Sequence, residues 1–232
     1  MSSKTYPSLS LEQSLFDAGK QFVIGIDEVG RGALFGPVAV GVAVLRKDQH
    51  SGATDWPTKL ADSKLISQPV RDALFEPVGN WVWAHSVGMA TAAEIDESGI
   101  IAALAMSARR AIAGLPEDVR CQVSANPSAA QAILDGSHNW LGSALGPVPS
   151  MVRTKADRDC VSVAAASVLA KVERDNLMMQ LAKQDATLEP YGIAGNKGYS
   201  SAAHLAALRQ LGPLDLHRKT WLGKILGESG LF

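Results

Sequence analysis

The sequence predicts an α/β fold built on a mixed five-stranded sheet flanked by helices. Three strand-like runs come early: Phe22 to Asp27, Val38 to Leu45 and Trp81 to Val87. Helical spacing then sets in, and two further short apolar runs, Ala132 to Asp135 and Met151 to Thr154, lie between the helices. Strands first, then strands alternating with helices, give a mixed sheet.

Each element has a local reason. Ser10 to Gln13 reads S-x-x-Q, the spacing of a capping box, and opens a short helix with Leu11, Leu15 and Phe16 toward the core and Gly19 as its stop. Phe22-Val-Ile-Gly-Ile-Asp27 has the composition of a buried strand, and a glycine-punctuated turn leads to Val38–Leu45. Residues 54–64 are polar and loop-like, and Ser67 caps a short helix through Phe75. In the third strand Trp81, Trp83, His85 and Val87 share one face, because side chains alternate along a strand. These three early strands are expected to form an antiparallel meander.

Thr91-Ala-Ala-Glu94 is a second capping box. Behind it Ile101, Leu104, Ala105, Ala108, Ile112 and Leu115 recur at helical spacing until Gly114 and Pro116 end the pattern. Residues 121–127 have no dominant period, and residues 137–150 form a loop rich in Gly, Pro and Ser. A long helix follows at Val161–Gln184, alanine-rich at its start. Ser200 or Ser201 begins another, which carries Leu205, Leu208 and Leu211 and closes at Gly212-Pro213. The division is a core at 20–184 and a helical extension at 185–232, expected to pack as one unit.

Composition excludes several classes of function. With 47% hydrophobic and 19% charged residues in 232, the chain is a compact globule rather than a disordered binder. The net charge of -1 gives no global attraction to nucleic acid. A polyanion must therefore be held by a local cluster of bases or through metal ions. Cys121 and Cys160 stand far apart, which argues against a cysteine zinc site or a disulfide framework and suits the cytoplasm. The N-terminal residues lack the pattern of a signal peptide, and the most apolar strand-like run is far too short to span a bilayer. A monomer without membrane contact is expected.

The chemistry lies in acids at strand ends. Asp27 and Glu28 close a deeply apolar strand and run into Gly30-Arg31-Gly32. The plain alternative is ordinary turn chemistry, with Asp27 capping backbone amides. Asp135 repeats the pattern, with Gly136 after it, and Asp157 precedes the alanine-rich helix. Two carboxylates about 4 Å apart repel by roughly 4 kcal/mol at an effective dielectric near 20. If the four converge, divalent cations relieve that cost, and an all-oxygen set favours Mg²⁺ or Mn²⁺. Two such ions suit phosphodiester hydrolysis. Adjacent strand residues point to opposite faces, so Asp27 and Glu28 are expected to need a bend between them.

The blocks GIDEVGRGALFGPVAVGVAVL at 25–45, ADSKLIS at 61–67 and EIDESGIIAALAMSARRAIAGL at 94–115 resemble ribonuclease HII. So do KADRDCVSVAAASVLAKVERD at 155–175 and, further on, NKGYSSAAHLAAL and GPLDLHR. Together they cover most of residues 22–219. The resemblance implies a ribonuclease H-like core with a helical C-terminal extension, and four acids binding two metal ions. The matching positions are Asp27, Glu28 and Asp157, with Asp159 as a rival read as a solvated acid at a helix start. For the third acid two segments compete. Gln122 to Pro127 resembles the family's Val-Asp-Gly-Asn-Pro but has Ser124 where the acid belongs, whereas Asp135-Gly136 supplies both acid and glycine. Asp135 is preferred because only it offers metal-binding chemistry.

The resemblance also makes Gly30-Arg31-Gly32 the substrate-reading turn and Tyr199 the residue that stacks under the sugar at the RNA–DNA junction. A glycine backbone can approach a sugar closely, and the 2′-hydroxyl is what separates RNA from DNA. Ser63 and Lys64 match a phosphate-contacting segment whose second lysine is Leu65 here. Lys155, Lys171, Arg174, Lys197, His217, Arg218 and Lys219 are candidate phosphate contacts. The implied activity is endonucleolytic cleavage 5′ of a ribonucleotide in a hybrid or duplex, leaving 3′-hydroxyl and 5′-phosphate ends, in the removal of ribonucleotides from DNA. A ribonuclease HIII-type enzyme and a silent hybrid-binding protein with a damaged metal site are the rivals. The tail ends in Gly-Leu-Phe, too little to carry a sliding-clamp motif.

Overall fold

The computed structural model describes residues 6–227; the side chain of Lys224 and the Gly-Leu-Phe tail lie outside the described residues. Five strands form one mixed sheet: β1 (Phe22–Val29), β2 (Val38–Arg46), β3 (Ala84–Ala90), β4 (Ala130–Asp135) and β5 (Ser150–Arg153). Their order is β3-β2-β1-β4-β5. The first three strands pair antiparallel, as the meander expected, while β4 and β5 add on in parallel. Among the described residues seven α-helices are longer than a single turn: α1 (Ser10–Asp17), α2 (Gln68–Trp81), α3 (Ala92–Ser98), α4 (Ile100–Gly114), α5 (Glu117–Ala125), α6 (Val161–Gln184) and α7 (Ala202–Leu211).

The alternation of β1 divides the interior into two layers. Val23, with Ala43, Leu45 and Ile133, faces a core that includes Val161, Ala164 to Ala166 and Leu169 of α6. Phe22, Ile24 and Ile26, with Val38, Val40, Val42 and Val44, face Leu104, Ala108 and Ala111 of α4. Strands β1, β2 and β4 are buried on both faces, so they read as continuous apolar runs, whereas the edge strands β3 and β5 are only partly covered. The alanine-rich start of α6 reflects close contact. A Cβ on Gly25 would lie 2.2 Å from the Ser162 backbone, so α6 rides directly on β1.

Three local expectations change. The Ser10 capping box does not form: Ser10 is already inside α1, and Leu9 occupies the cap position. Trp81 ends α2 rather than starting a strand, and β3 begins at Ala84. The helical stripe continues from Leu74 through Val78, both buried, and Pro77 is tolerated on the exposed face, where water can satisfy the carbonyl it frees. Ile101 is 51% exposed, because Ala103, Leu104, Ser107 and Ala108 set the buried face of α4. The Thr91–Glu94 capping box does form, with both reciprocal bonds present.

The segment after α6 packs on its far end. Leu188, Tyr191, Ile193 and Leu208 cluster with Met178 of α6 and with Leu34 and Phe35 from the turn after β1. The C-terminal residues thus lie against the turn that follows the first acids. No helix among the described residues is long and apolar enough to cross a membrane.

Candidate active site

The site begins where β4 runs out. Its last pairing with β1 is Ile26 with Leu134, while β2 stays paired with β1 as far as Val29. Beyond Ile26 one flank of β1 is open, and Asp27, Glu28 and Asp135 share that end of the sheet. No bend separates Asp27 from Glu28, since the strand runs regularly through both. The two carboxylates keep their alternation, and it is the shortness of β4 that leaves room between them.

Asp27 is buried on the α6 face, and its Oδ1 accepts the backbone N–H of Glu28 at 2.8 Å. Burial, then the charges of Glu28 and Asp135, push its carboxyl well above the usual range. Glu28 is also raised, first by burial, although Arg31 at 3.3 Å works against the shift. Its Oε2 is buried and has no hydrogen-bond partner. Asp135 Oδ1 accepts the backbone N–H of Ala156 at 2.7 Å. That bond ties the end of β4 to the one-turn helix Ala156–Asp159, which carries Asp157.

Asp157 is raised to about 7, by burial first and then by the charges of Asp135 and Asp62. Lys64 Nζ lies 3.8 Å from its carboxylate. Burial pulls the Lys64 ammonium down, but Asp27, Asp62, Asp157 and Asp135 outweigh it and raise it overall. One electrostatic neighbourhood therefore contains Asp27, Glu28, Asp135 and Asp157. Asp62 belongs to it as a fifth, buried acid that accepts from the backbone of Lys64 and from Arg158. Sequence reasoning passed over Asp62. Its signal was an acid directly before Ser63-Lys64 in an otherwise polar loop.

Among the described residues no three His, Cys, Asp or Glu side chains are drawn up as a ready-made metal cage. The donor chemistry nevertheless fits a hard divalent ion. The acids are oxygen ligands, they raise one another's affinity for a positive charge, and Glu28 offers a buried oxygen with nothing to accept.

The turn beside the acids is held from below. Gly30 has φ +78°, and a Cβ there would meet Arg174 Nε at 2.1 Å. The Gly30 N–H donates to the Tyr199 hydroxyl at 3.1 Å. Arg218 donates to the carbonyls of Gly30, Arg31 and Gly36, and Arg174 to those of Phe35, Pro37 and Lys197. Both guanidinium groups are fully buried. Arg31 and Gly32 are exposed at the surface above.

This arrangement corrects several expected phosphate contacts. Arg218 and Arg174 spend their donors on backbone carbonyls, and His217 is buried against His204. Ser63 is buried, accepting from Ser167 at 2.9 Å, and Lys197 is buried with its ammonium on the Ala194 carbonyl. Lys64, Lys155 and Arg31 remain exposed near the acids. Lys171 pairs with Asp175 at 2.7 Å and lies over the Tyr199 ring at 5.3 Å, and Lys219 pairs with Asp215. Asp159 forms a surface pair with Arg153. Ser124 is on α5 and lines an apolar groove with Ile24, Ile112 and Leu145, apart from the acids.

A family model described as Ribonuclease HII matches residues 24–224. The chain is 42% identical over 218 residues to Ribonuclease HII of Streptomyces avermitilis, covering 93% of this chain and 83% of the relative. Its fold is similar to ribonuclease H2 from Pyrococcus horikoshii OT3, with a TM-score of 0.64 and 25% identity, over 89% of this chain and 97% of the other. It is also similar in fold to Bst-RNase HIII solved in complex with Mn²⁺, with a TM-score of 0.60 and 20% identity, over 86% of this chain and 65% of the other.

Proposed function

The chain belongs to the ribonuclease HII family, and from that premise we propose that it cuts the phosphodiester 5′ of a ribonucleotide in an RNA–DNA hybrid or in duplex DNA. The products would carry a 3′-hydroxyl and a 5′-phosphate. The observation that carries this reading is that Asp135 and Asp157 sit in the same electrostatic neighbourhood as Asp27 and Glu28, beside the Gly30-Arg31-Gly32 turn.

Asp27, Glu28, Asp135 and Asp157 would hold two divalent ions, Mn²⁺ or Mg²⁺. When bound, such ions supply an activated water for in-line attack and charge to stabilise the leaving oxygen. The protein's own residues do the rest. Lys64 offsets part of the local negative charge and, like Lys155 and Arg31, is exposed at the surface, where a backbone phosphate could meet it. The exposed backbone of Gly32 and the Gly30 turn lie within reach of a ribose, whose 2′-hydroxyl marks RNA. Tyr199 would stack beneath the adjoining sugar, and Lys171 and Arg174 lie over its ring at 5.3 and 5.4 Å. Because few cations are in play, binding would depend on few phosphates and would weaken with salt in proportion. The role in the cell would be removal of misincorporated ribonucleotides, by a cytoplasmic monomer.

The test is incubation of a duplex bearing one ribonucleotide with Mn²⁺ and, separately, Mg²⁺. Nicking 5′ of the ribonucleotide is the expected result. Tight binding without nicking in either metal would overturn the reading in favour of a silent hybrid binder.

A further inference from the structure

Beneath the turn, two histidines form a chain of hydrogen bonds that has only one proton arrangement. The backbone N–H of Leu214 donates to His217 Nδ1 at 2.9 Å, so that nitrogen carries no proton. His204 Nδ1 lies 2.9 Å from the carbonyl oxygen of Tyr199, which can only accept, so that nitrogen carries one. The two Nε2 atoms are 3.0 Å apart. With both rings neutral, His217 must donate through Nε2 and His204 must accept. All four ring nitrogens are then satisfied, and no other neutral assignment does this. One extra proton would set two N–H groups face to face, either between the rings or against Leu214.

Both rings are buried, and His217 packs edge-on against Phe35 at 4.9 Å and beside Tyr191 at 5.1 Å. The polar neighbours reinforce neutrality. Tyr191 turns its hydroxyl to the Gly212 carbonyl, the charge of Lys219 opposes a proton on His217, and Arg218 and Arg174 add buried cations under the same turn. Among the described residues no carboxylate bonds to either ring. Burial and the neighbouring ring hold His217 down to about 4, and burial lowers His204 as well.

The chain ends on Tyr199, whose hydroxyl accepts from Gly30 N–H. We propose that His204 and His217 are positioning residues for the ribonucleotide-reading turn, fixing the Tyr199 backbone, and through it the ring against Gly30, by a proton-ordered pair. The pair touches no substrate and acts through Tyr199. The inference rests on the cleavage reading above for its kinetic consequence, but not for its proton arrangement.

Two measurements test it on the full chain. Long-range ¹⁵N–¹H correlation spectra should show His204 protonated at Nδ1 and His217 at Nε2, with His217 neutral down to about pH 5. The opposite tautomers, or a charged His217 ring at pH 6, would overturn the proposal whether or not the protein cuts anything. The second is a mutant cycle on the single-ribonucleotide duplex. His217→Phe leaves Leu214 N–H and His204 Nε2 without partners and should lower kcat/KM about tenfold or more, whereas His217→Gln can accept from Leu214 and donate to His204 and should restore most of it. In a Tyr199→Ala background the His217→Phe loss should shrink to within about twofold. A loss of equal size in both backgrounds would mean that the pair merely stabilises the fold. If wild-type protein does not cut at all, the functional reading fails, and the spectra still decide the pairing.

Discussion

The carboxylate of Asp135 takes the backbone N–H of Ala156 at 2.7 Å, joining the end of β4 to the turn that presents Asp157. This one bond places two acids that lie far apart in sequence at a common opening. It also separates two roles of the side chain, since the bond needs an oxygen but not a charge.

Asp135→Asn should therefore keep the fold and lose the reaction. The amide oxygen can still accept from Ala156. Loss of a negative ligand should cut the nicking rate by about a hundredfold or more, while the thermal midpoint moves by only a few degrees. Undiminished cleavage by this variant would remove Asp135 from the metal-binding set. Ser124→Asp, on α5 and apart from the acids, should do nothing to rescue it.

Metal-free protein should become less stable as pH rises from about 4 to about 7. Asp157 titrates near 7 in the folded state against 3.8 in its ordinary range, so the folded state binds the proton more tightly. The stabilisation is full below pH 4 and lost as pH climbs through 7. Mn²⁺ should reverse the trend, because ions bind the ionised acids and stabilise only the folded form. Melting curves with and without Mn²⁺ at pH 5 and pH 8 check this: the shift should be larger at pH 8. An equal shift at both values would mean that the ion binds elsewhere.

The antiparallel start of the sheet and the long helix were legible in the sequence because both announce themselves in local patterns. Val161–Gln184 was readable residue for residue, and Asp27, Glu28 and Asp157 were visible as acids at element ends. What escaped depends on neighbours far along the chain. Arg218 and His217 look like a surface basic run, yet the carbonyls that hold Arg218 lie at Gly30, Arg31 and Gly36. Asp62 gives no periodic signal, and only the fold brings it beside Asp157. Trp81 was misplaced because a strand's alternation and a helix's stripe coincide over so few residues.

Arg218→Ala should be strongly destabilising. It leaves the buried Gly36 carbonyl without a partner, the Gly30 carbonyl with the Ala33 N–H alone and the part-buried Arg31 carbonyl without its donor, at about 1 kcal/mol or more for each buried group, so a loss of at least about 2 kcal/mol is expected in urea unfolding. Arg218→Lys keeps the charge but cannot reach three carbonyls in a planar fork, and should recover less than half of that loss. Recovery to wild-type stability by lysine would show that the charge, rather than the fork, holds the turn.

The histidine pair gives the acid limb of the stability curve the opposite sign. His217 falls to about 4 in the folded state against 6.5 unfolded, and His204 is lowered too. The unfolded chain therefore binds more protons between these values, and the stabilisation is full above about 6.5 and lost as pH falls toward 4. Asp157 masks this in the metal-free wild type because its trend runs the other way. In Asp157→Asn one opposing carboxyl is gone, while Asp27 and Glu28 remain, so from pH 6.5 to pH 4.5 the midpoint in urea should fall relative to that of the wild type. Adding His217→Gln to that variant removes one titrating ring and should flatten the drop. A slope unchanged by the second substitution would assign the acid sensitivity to some other group.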